Sequence, residues 1–194
     1  MKRCCVLLAA IVPATALAQT DFGPLRYDYV AATLAVPEVD EIGIEIDGST
    51  AVTEDLVVFG RYRDFTPDTG IDQQSLQIGV GYVWKINPSL DFIPSLSYAD
   101  NDIDLRGLRL ADEEGLILGG HVRGWMTGRV ELGGSVLLDN SKGSSTDTVI
   151  EFGLQYFRRA NWSVGGRIRD DDDATTVFLG ARFYFGASRR PLAL

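Results

Sequence analysis

Leu76-Gln77-Ile78-Gly79-Val80-Gly81-Tyr82-Val83-Trp84 sets large apolar side chains against small or polar ones at every second residue. Successive side chains of a β-strand point to opposite faces, so Leu76, Ile78, Val80, Tyr82 and Trp84 share one face. Gln77, Gly79, Gly81 and Val83 share the other. One such segment describes any half-buried strand. Here the rhythm recurs along nearly the whole chain, and the larger, aromatic-tipped side is the uncharged one. A strand that meets hydrocarbon on one face and a polar interior on the other has this pattern.

The N-terminus predicts export. Met1-Lys2-Arg3 is a short basic start, Cys4 to Val12 is apolar, and Ala16-Leu17-Ala18 is a small-residue cleavage site, so residues 1–18 read as a cleaved signal with Gln19 the first mature residue. A membrane-anchor helix fits less well, because the apolar run is broken by Pro13 and Thr15 and falls short of the roughly 18 residues a spanning helix needs. Both cysteines, Cys4 and Cys5, lie in this segment, which leaves the mature chain no disulfide framework and no thiolate metal site. Without Lys2 and Arg3 the balance is 16 basic to 27 acidic residues, a net charge of −11, which argues against nucleic acid as a partner.

Residues 19–185 contain no linker, low-complexity tract or sustained helical periodicity, and read as one domain. Turn-like sequences recur at Thr53-Glu54-Asp55, Asn87-Pro88-Ser89, Thr127-Gly128-Arg129 and Ala160-Asn161, each followed by an apolar residue that opens a strand: Leu56, Leu90, Val130 and Trp162. The repeat signatures of solenoids and propellers are missing, so consecutive antiparallel hairpins are the simpler reading. Ten strands are predicted, at 25–35, 41–50, 55–65, 73–85, 89–100, 115–126, 129–139, 146–158, 161–170 and 174–185. Their lengths match the roughly 9 to 11 residues with which a tilted strand crosses a bilayer. An all-β, closed, up-and-down antiparallel transmembrane β-barrel follows, with eight strands as the alternative. The turns named above would be periplasmic, and the connections at 36–41, 66–72, 101–114, 140–145 and 171–173 would face outward.

The faces can be assigned residue by residue. Ile42, Ile44 and Ile46; Leu116, Leu118, Val122 and Met126; Ile150, Phe152, Leu154 and Tyr156; and Val177, Leu179, Ala181, Phe183 and Phe185 are predicted to meet lipid. The intervening positions carry Glu45, Asp47, Arg61, Arg63, Asp91, His121, Arg123, Glu131, Glu151, Arg167, Arg169 and Arg182. An arginine on the lipid face at mid-bilayer would cost about 2–4 kcal/mol, so these point inward, where the arginines can pair with the carboxylates in a lumen charge network. A soluble lipocalin-like barrel would invert the faces. Two features oppose it: Pro94 in mid-strand, and aromatic girdles of Tyr82, Trp84, Phe92, Tyr156, Trp162, Phe183 and Phe185 at one rim and Tyr62 and Tyr98 at the other.

Strand openings such as Thr53-Glu54-Asp55-Leu56-Val57-Val58 and Asn87-Pro88-Ser89-Leu90-Asp91-Phe92, together with the aromatic Phe183-Tyr184-Phe185, give the chain a resemblance to the small outer-membrane β-barrel proteins of Gram-negative bacteria, the OmpA-type and Ail-type barrels. The resemblance covers the mature chain. It implies the fold, the outer membrane and insertion by the barrel-assembly machinery, and it implies no activity. Members usually end on the aromatic strand, whereas residues 186–194 continue here as a predicted periplasmic tail.

Chemistry on this scaffold is sparse. His121, the sole histidine, faces inward, with Ser135 and Glu131 on the next strand facing the same way; a Ser-His-carboxylate set is conceivable, but a histidine in a lumen polar network is the favoured reading. Asp100-Asn101-Asp102-Ile103-Asp104 begins like a calcium loop, but Leu105 stands where the turn glycine belongs and Ala111 where the bidentate glutamate belongs. With Asp170-Asp171-Asp172-Asp173 it reads as a solvated outer loop, whose carboxylates could share divalent cations with lipopolysaccharide phosphates. No catalytic set, cofactor or dedicated metal site is expected. The expected role is structural or surface-interacting, in contact with outer-membrane lipid and lipopolysaccharide, with the lumen closed by charge pairs. A narrow pore for small polar solutes or ions is the alternative, because ten strands enclose more room than eight and glycines recur at inward positions: Gly79, Gly81, Gly119, Gly133, Gly153, Gly165 and Gly180. A lipid-modifying enzyme is the second alternative. The oligomeric state is left open.

Overall fold

Eleven strand segments run in chain order: β1 (Tyr29–Pro37), β2 (Glu41–Ala51), β3 (Leu56–Pro67), β4 (Ile71–Tyr82), β5 (Trp84–Asn87), β6 (Leu90–Leu105), β7 (Leu108–Thr127), β8 (Val130–Asp139), β9 (Asp147–Arg159), β10 (Trp162–Asp170) and β11 (Thr175–Tyr184). The computed structural model describes residues 25–37, 41–67, 71–105, 108–141, 146–171 and 174–185. The expected signal (1–18) and tail (186–194) lie outside them. Sequence neighbours pair antiparallel, except that β4 and β5 both pair with β6, and β1 pairs with β11 from Tyr29↔Tyr184 to Pro37↔Thr176, which closes the sheet on itself.

Segments β4 and β5 form one stave. Gly81 faces Ser95 and Trp84 faces Phe92 on β6, so the register is unchanged across Val83, whose amide is taken by Asp55 O at 2.7 Å. The barrel therefore has ten staves. At one end the turns are short and made by side chains that cap their own backbone. Thr53 Oγ1 accepts from the amides of Asp55 and Leu56, Asn87 Oδ1 from Ser89 N at 2.8 Å, and Thr127 Oγ1 from Arg129 N at 3.3 Å. The start of β1 and the end of β11 lie at this end, which makes it the periplasmic one.

Two expectations are corrected. Residues 25–28 do not begin β1; they run across the periplasmic mouth, and the strand starts at Tyr29. Residues 101–114 are not a free loop either. β6 and β7 stay paired from Leu90↔Gly124 to Leu105↔Leu108, with one register shift at Ile103/Asp104. Ile103, Leu105, Leu108 and Leu110 alternate with polar residues, so the strand period continues through the acidic run. Asp100 to Asp104 is thus extended backbone rather than a wrapped loop.

The two faces separate as the alternation requires. Every residue named above as meeting lipid is exposed, with Ile42 at 67%, and of the girdle aromatics Trp84 is exposed at 62% while Phe92 and Trp162 are half-buried. Glu45, in contrast, is 0% exposed and Phe178 1%. A folded chain that presents this apolar belt is a multi-pass membrane barrel. Ile78→Arg is accordingly expected to lower stability in lipid by about 2–4 kcal/mol, whereas the same change at the exposed turn residue Glu54 should fall near zero. Urea unfolding in bilayers, read by tryptophan fluorescence, measures the difference.

Candidate functional site: the barrel lumen

The mid-barrel tier is built on two glutamates. Glu45 on β2 accepts from Arg63 Nε at 2.6 Å and Arg167 Nη2 at 2.8 Å, and Arg61 Nε lies 3.6 Å away. Glu151 on β9 meets Arg61 Nη1 and Arg169 Nη1, each at 3.3 Å, with Arg63 Nη2 at 3.8 Å and Arg167 Nε at 3.9 Å. Some of these pairs are neighbours in the sheet, since Glu45 faces Arg63 and Glu151 faces Arg169. Arg61 and Glu151 are not. They stand on β3 and β9, which are five staves apart in either direction round the barrel, so their ion pair spans the diameter. The Arg167 guanidinium also lies 4.1 Å from the centroid of the Phe178 ring. Four arginines meet two glutamates in this tier, and Arg169 Nε also lies 3.6 Å from Asp171.

A second tier lies nearer the periplasm. Arg123 holds both oxygens of Glu131 at 3.0 Å, a bidentate pair, and Arg182 Nη1 reaches Glu131 at 3.8 Å. Arg182 stacks over Tyr29 at 4.1 Å and Arg123 over Tyr27 at 4.8 Å. Asp91 faces Arg123 in the ladder, yet its carboxylate takes the Tyr27 hydroxyl at 2.5 Å. Burial pushes the Tyr27 phenol well above its ordinary pKa, so it stays a donor. Asp47 is buried opposite Arg61 in the ladder but makes no ion pair among the described residues.

The periplasmic mouth is filled. Leu25, Trp125, Phe157 and Tyr184 pack together on one side, Val57, Val83 and Ile93 on the other, and Tyr27 touches both groups. The strap that carries Tyr27 is pinned along its length. Arg26 donates to Ala160 O and Phe185 O, Ser49 Oγ to Tyr27 O, and Thr50 Oγ1 and Ala51 N to Asp28 Oδ1. Between the strap and the Arg61–Glu151 bridge lies a cavity of ≈ 200 Å³, lined among others by Tyr29, His121, Gln155 and Arg167. Four of the inward glycines, Gly133, Gly153, Gly165 and Gly180, line this cavity, and at Gly133 the first atom a Cβ would meet is Val122 O, at 3.7 Å. At Gly79, away from it, a Cβ would lie 2.5 Å from both the Phe59 ring and Ser97 Cβ, because neighbouring side chains occupy the space.

His121 Nε2 hydrogen-bonds Ser95 Oγ at 2.9 Å, while Ser135 Oγ donates to Glu151 at 3.4 Å. The set His121–Ser135–Glu131 is therefore not assembled. Sequence reasoning missed Ser95, although inward parity with Asp91 and Ile93 would have found it. It also missed the outer cluster in which Asp139 accepts from Ser141 Oγ at 2.6 Å and Asn101 donates to Ser141 at 3.0 Å. Within the acidic run after Arg169, Asp170 Oδ1 accepts from Thr175 Oγ1 and Asp171 Oδ1 from Ala174 N, so both cap the turn.

A closed ten-stave barrel with an apolar belt and an arginine-lined interior invites comparison with solved membrane barrels. The KdgM porin is similar over 81% of this chain and 99% of its own, with 14% sequence identity and a TM-score of 0.51. The NanC porin is similar over 81% of this chain and 100% of its own, with 9% identity and a TM-score of 0.51. The fold is that of the outer-membrane porins. A further structure with the same fold is described as the KdgM porin in complex with disordered oligogalacturonate, at 13% identity, 81% and 99% coverage and a TM-score of 0.50. No protein-family model and no curated protein matches the sequence.

Proposed function

We propose that this chain works as a closed outer-membrane barrel in the manner of the OmpA-type and Ail-type proteins, a structural or surface-interacting element of the envelope rather than an open channel. The Arg61–Glu151 pair carries this reading. An ion pair across the full diameter, tied to three further arginines, stands in the way of solutes, and leaving one of its charges without a partner would cost about 3–5 kcal/mol. The filled periplasmic mouth below it supports the same conclusion. Purified protein in planar bilayers is expected to give no stable conductance steps.

A second reading has its own support, a narrow pore for small anions. Four guanidinium groups and two carboxylates meet beside the cavity, and one structure sharing the fold is described with oligogalacturonate, a chain of acidic sugars. Steady, anion-selective steps from the wild-type protein would replace the closed reading with this one. A lipid-modifying activity fits poorly, since Ser95 and His121 face the lumen and Ser135 is tied to Glu151.

A further inference from the structure

The lipid-facing surface is not uniformly studded with large side chains. Where β1 meets β11, Ala32 stands opposite Ala181, and Ile46 continues the same row on β2. One row nearer the periplasm run Val30, Phe183 and Trp162. The two alanines form the floor of an outward-opening depression of ≈ 410 Å³ walled by these larger side chains, and almost all of its lining surface is apolar. It lies within the belt that meets hydrocarbon, so an acyl chain is the occupant its chemistry accepts.

The Trp162 ring has a second neighbour. The ladder between β9 and β10 shifts register at Trp162/Ser163, where Trp162 faces Arg159 and Ser163 faces Phe157. Arg158 is the extra residue of this bulge and is exposed. Its guanidinium lies 5.9 Å from the Trp162 ring centroid, and among the described residues it has no carboxylate partner. A cation stacked on a girdle tryptophan sits at headgroup depth. Arg129 and Arg159 are exposed at the same end, so the periplasmic rim offers further positive charge.

We propose that this seam is a binding site for an anionic phospholipid of the periplasmic leaflet, with one acyl chain over the Ala32–Ala181 depression and the phosphate against Arg158. Trp162 joins the two halves, since it walls the depression and also has Arg158 over its ring. A chain laid over two alanines gains dispersion contact on three sides that the surrounding surface of large side chains does not offer. The site does not depend on whether the lumen conducts.

Delipidated full-length protein, titrated in detergent with phosphatidylglycerol or phosphatidylcholine and read by native mass spectrometry, tests the assignment. Wild type should retain phosphatidylglycerol about fivefold better, the factor that one basic side chain near an anionic surface supplies. Arg158→Gln should reduce this preference to near unity. Ala181→Phe, which fills the depression from the lipid side, should weaken retention of both lipids and keep the preference between them. Heat-modifiable migration on gels checks that each variant is folded, with Ala32→Leu as a second way to fill the floor. Equal retention of the two lipids by wild type would overturn the proposal. So would an unchanged preference in Arg158→Gln, or unchanged retention in both filled variants.

Discussion

Glu151→Lys is expected to destabilise the barrel by at least the 3–5 kcal/mol or so that follows when a buried ion pair loses one partner. Glu151 is buried and has Arg61, Arg63, Arg167 and Arg169 all within 4 Å. Reversal places a fifth cation among four and removes the acceptor that bridges the diameter. The midpoint of chaotrope unfolding, followed by heat-modifiable migration, should fall sharply, and folded protein should show anion-selective conductance. Glu45→Gln should be milder, although Glu45 is the more buried, because Arg61, Arg63 and Arg167 each keep Glu151 within reach. The two glutamates share those three arginines, so Glu45→Gln and Glu151→Gln should combine non-additively. Unchanged stability and continued silence in Glu151→Lys would remove the cross-lumen network as the element that closes the barrel.

The residues of this network could be picked out in the sequence, but their partners could not. A period of two makes a one-residue slip fatal when one face meets lipid, so Glu45, Arg61, Arg63, Arg123, Glu131, Glu151, Arg167, Arg169 and Arg182 are forced inward together. Which arginine meets which carboxylate depends on strand stagger round the closed sheet. That is how Arg61 reaches Glu151, ninety positions away. The same limit explains Asp91, which is paired with Arg123 in the ladder but satisfied by Tyr27 from the strap. The strap escaped detection because Leu25, Tyr27 and Tyr29 alternate as a strand would, and the first residues of a strand and an inward-folded segment look alike to any periodicity argument. The acidic run after Asp100 misled in the opposite direction. Charge density suggested a loop, while the two-residue period of the sequence runs on and β6 and β7 stay paired.

Tyr27→Ala is expected to unseal the periplasmic end. Among the described residues Tyr27 is the contact shared by the Leu25–Trp125–Phe157–Tyr184 group and the Val57–Val83–Ile93 group, and Arg123 lies 4.8 Å above its ring. Its removal would join the mouth to the ≈ 200 Å³ cavity and leave Asp91 without its donor. A loss of about 3–5 kcal/mol is the scale for emptying a buried aromatic site. Tyr27→Phe separates the two contributions. It keeps the ring and the seal but strands the Asp91 carboxylate, for about 1–3 kcal/mol and no conductance. Bilayer recordings on the pair therefore distinguish a steric plug from a hydrogen-bonded latch. Conductance in Tyr27→Ala alone marks the ring as the seal, whereas equal conductance in both variants would mean that the hydroxyl, by tying the strap to β6, is what holds the mouth shut.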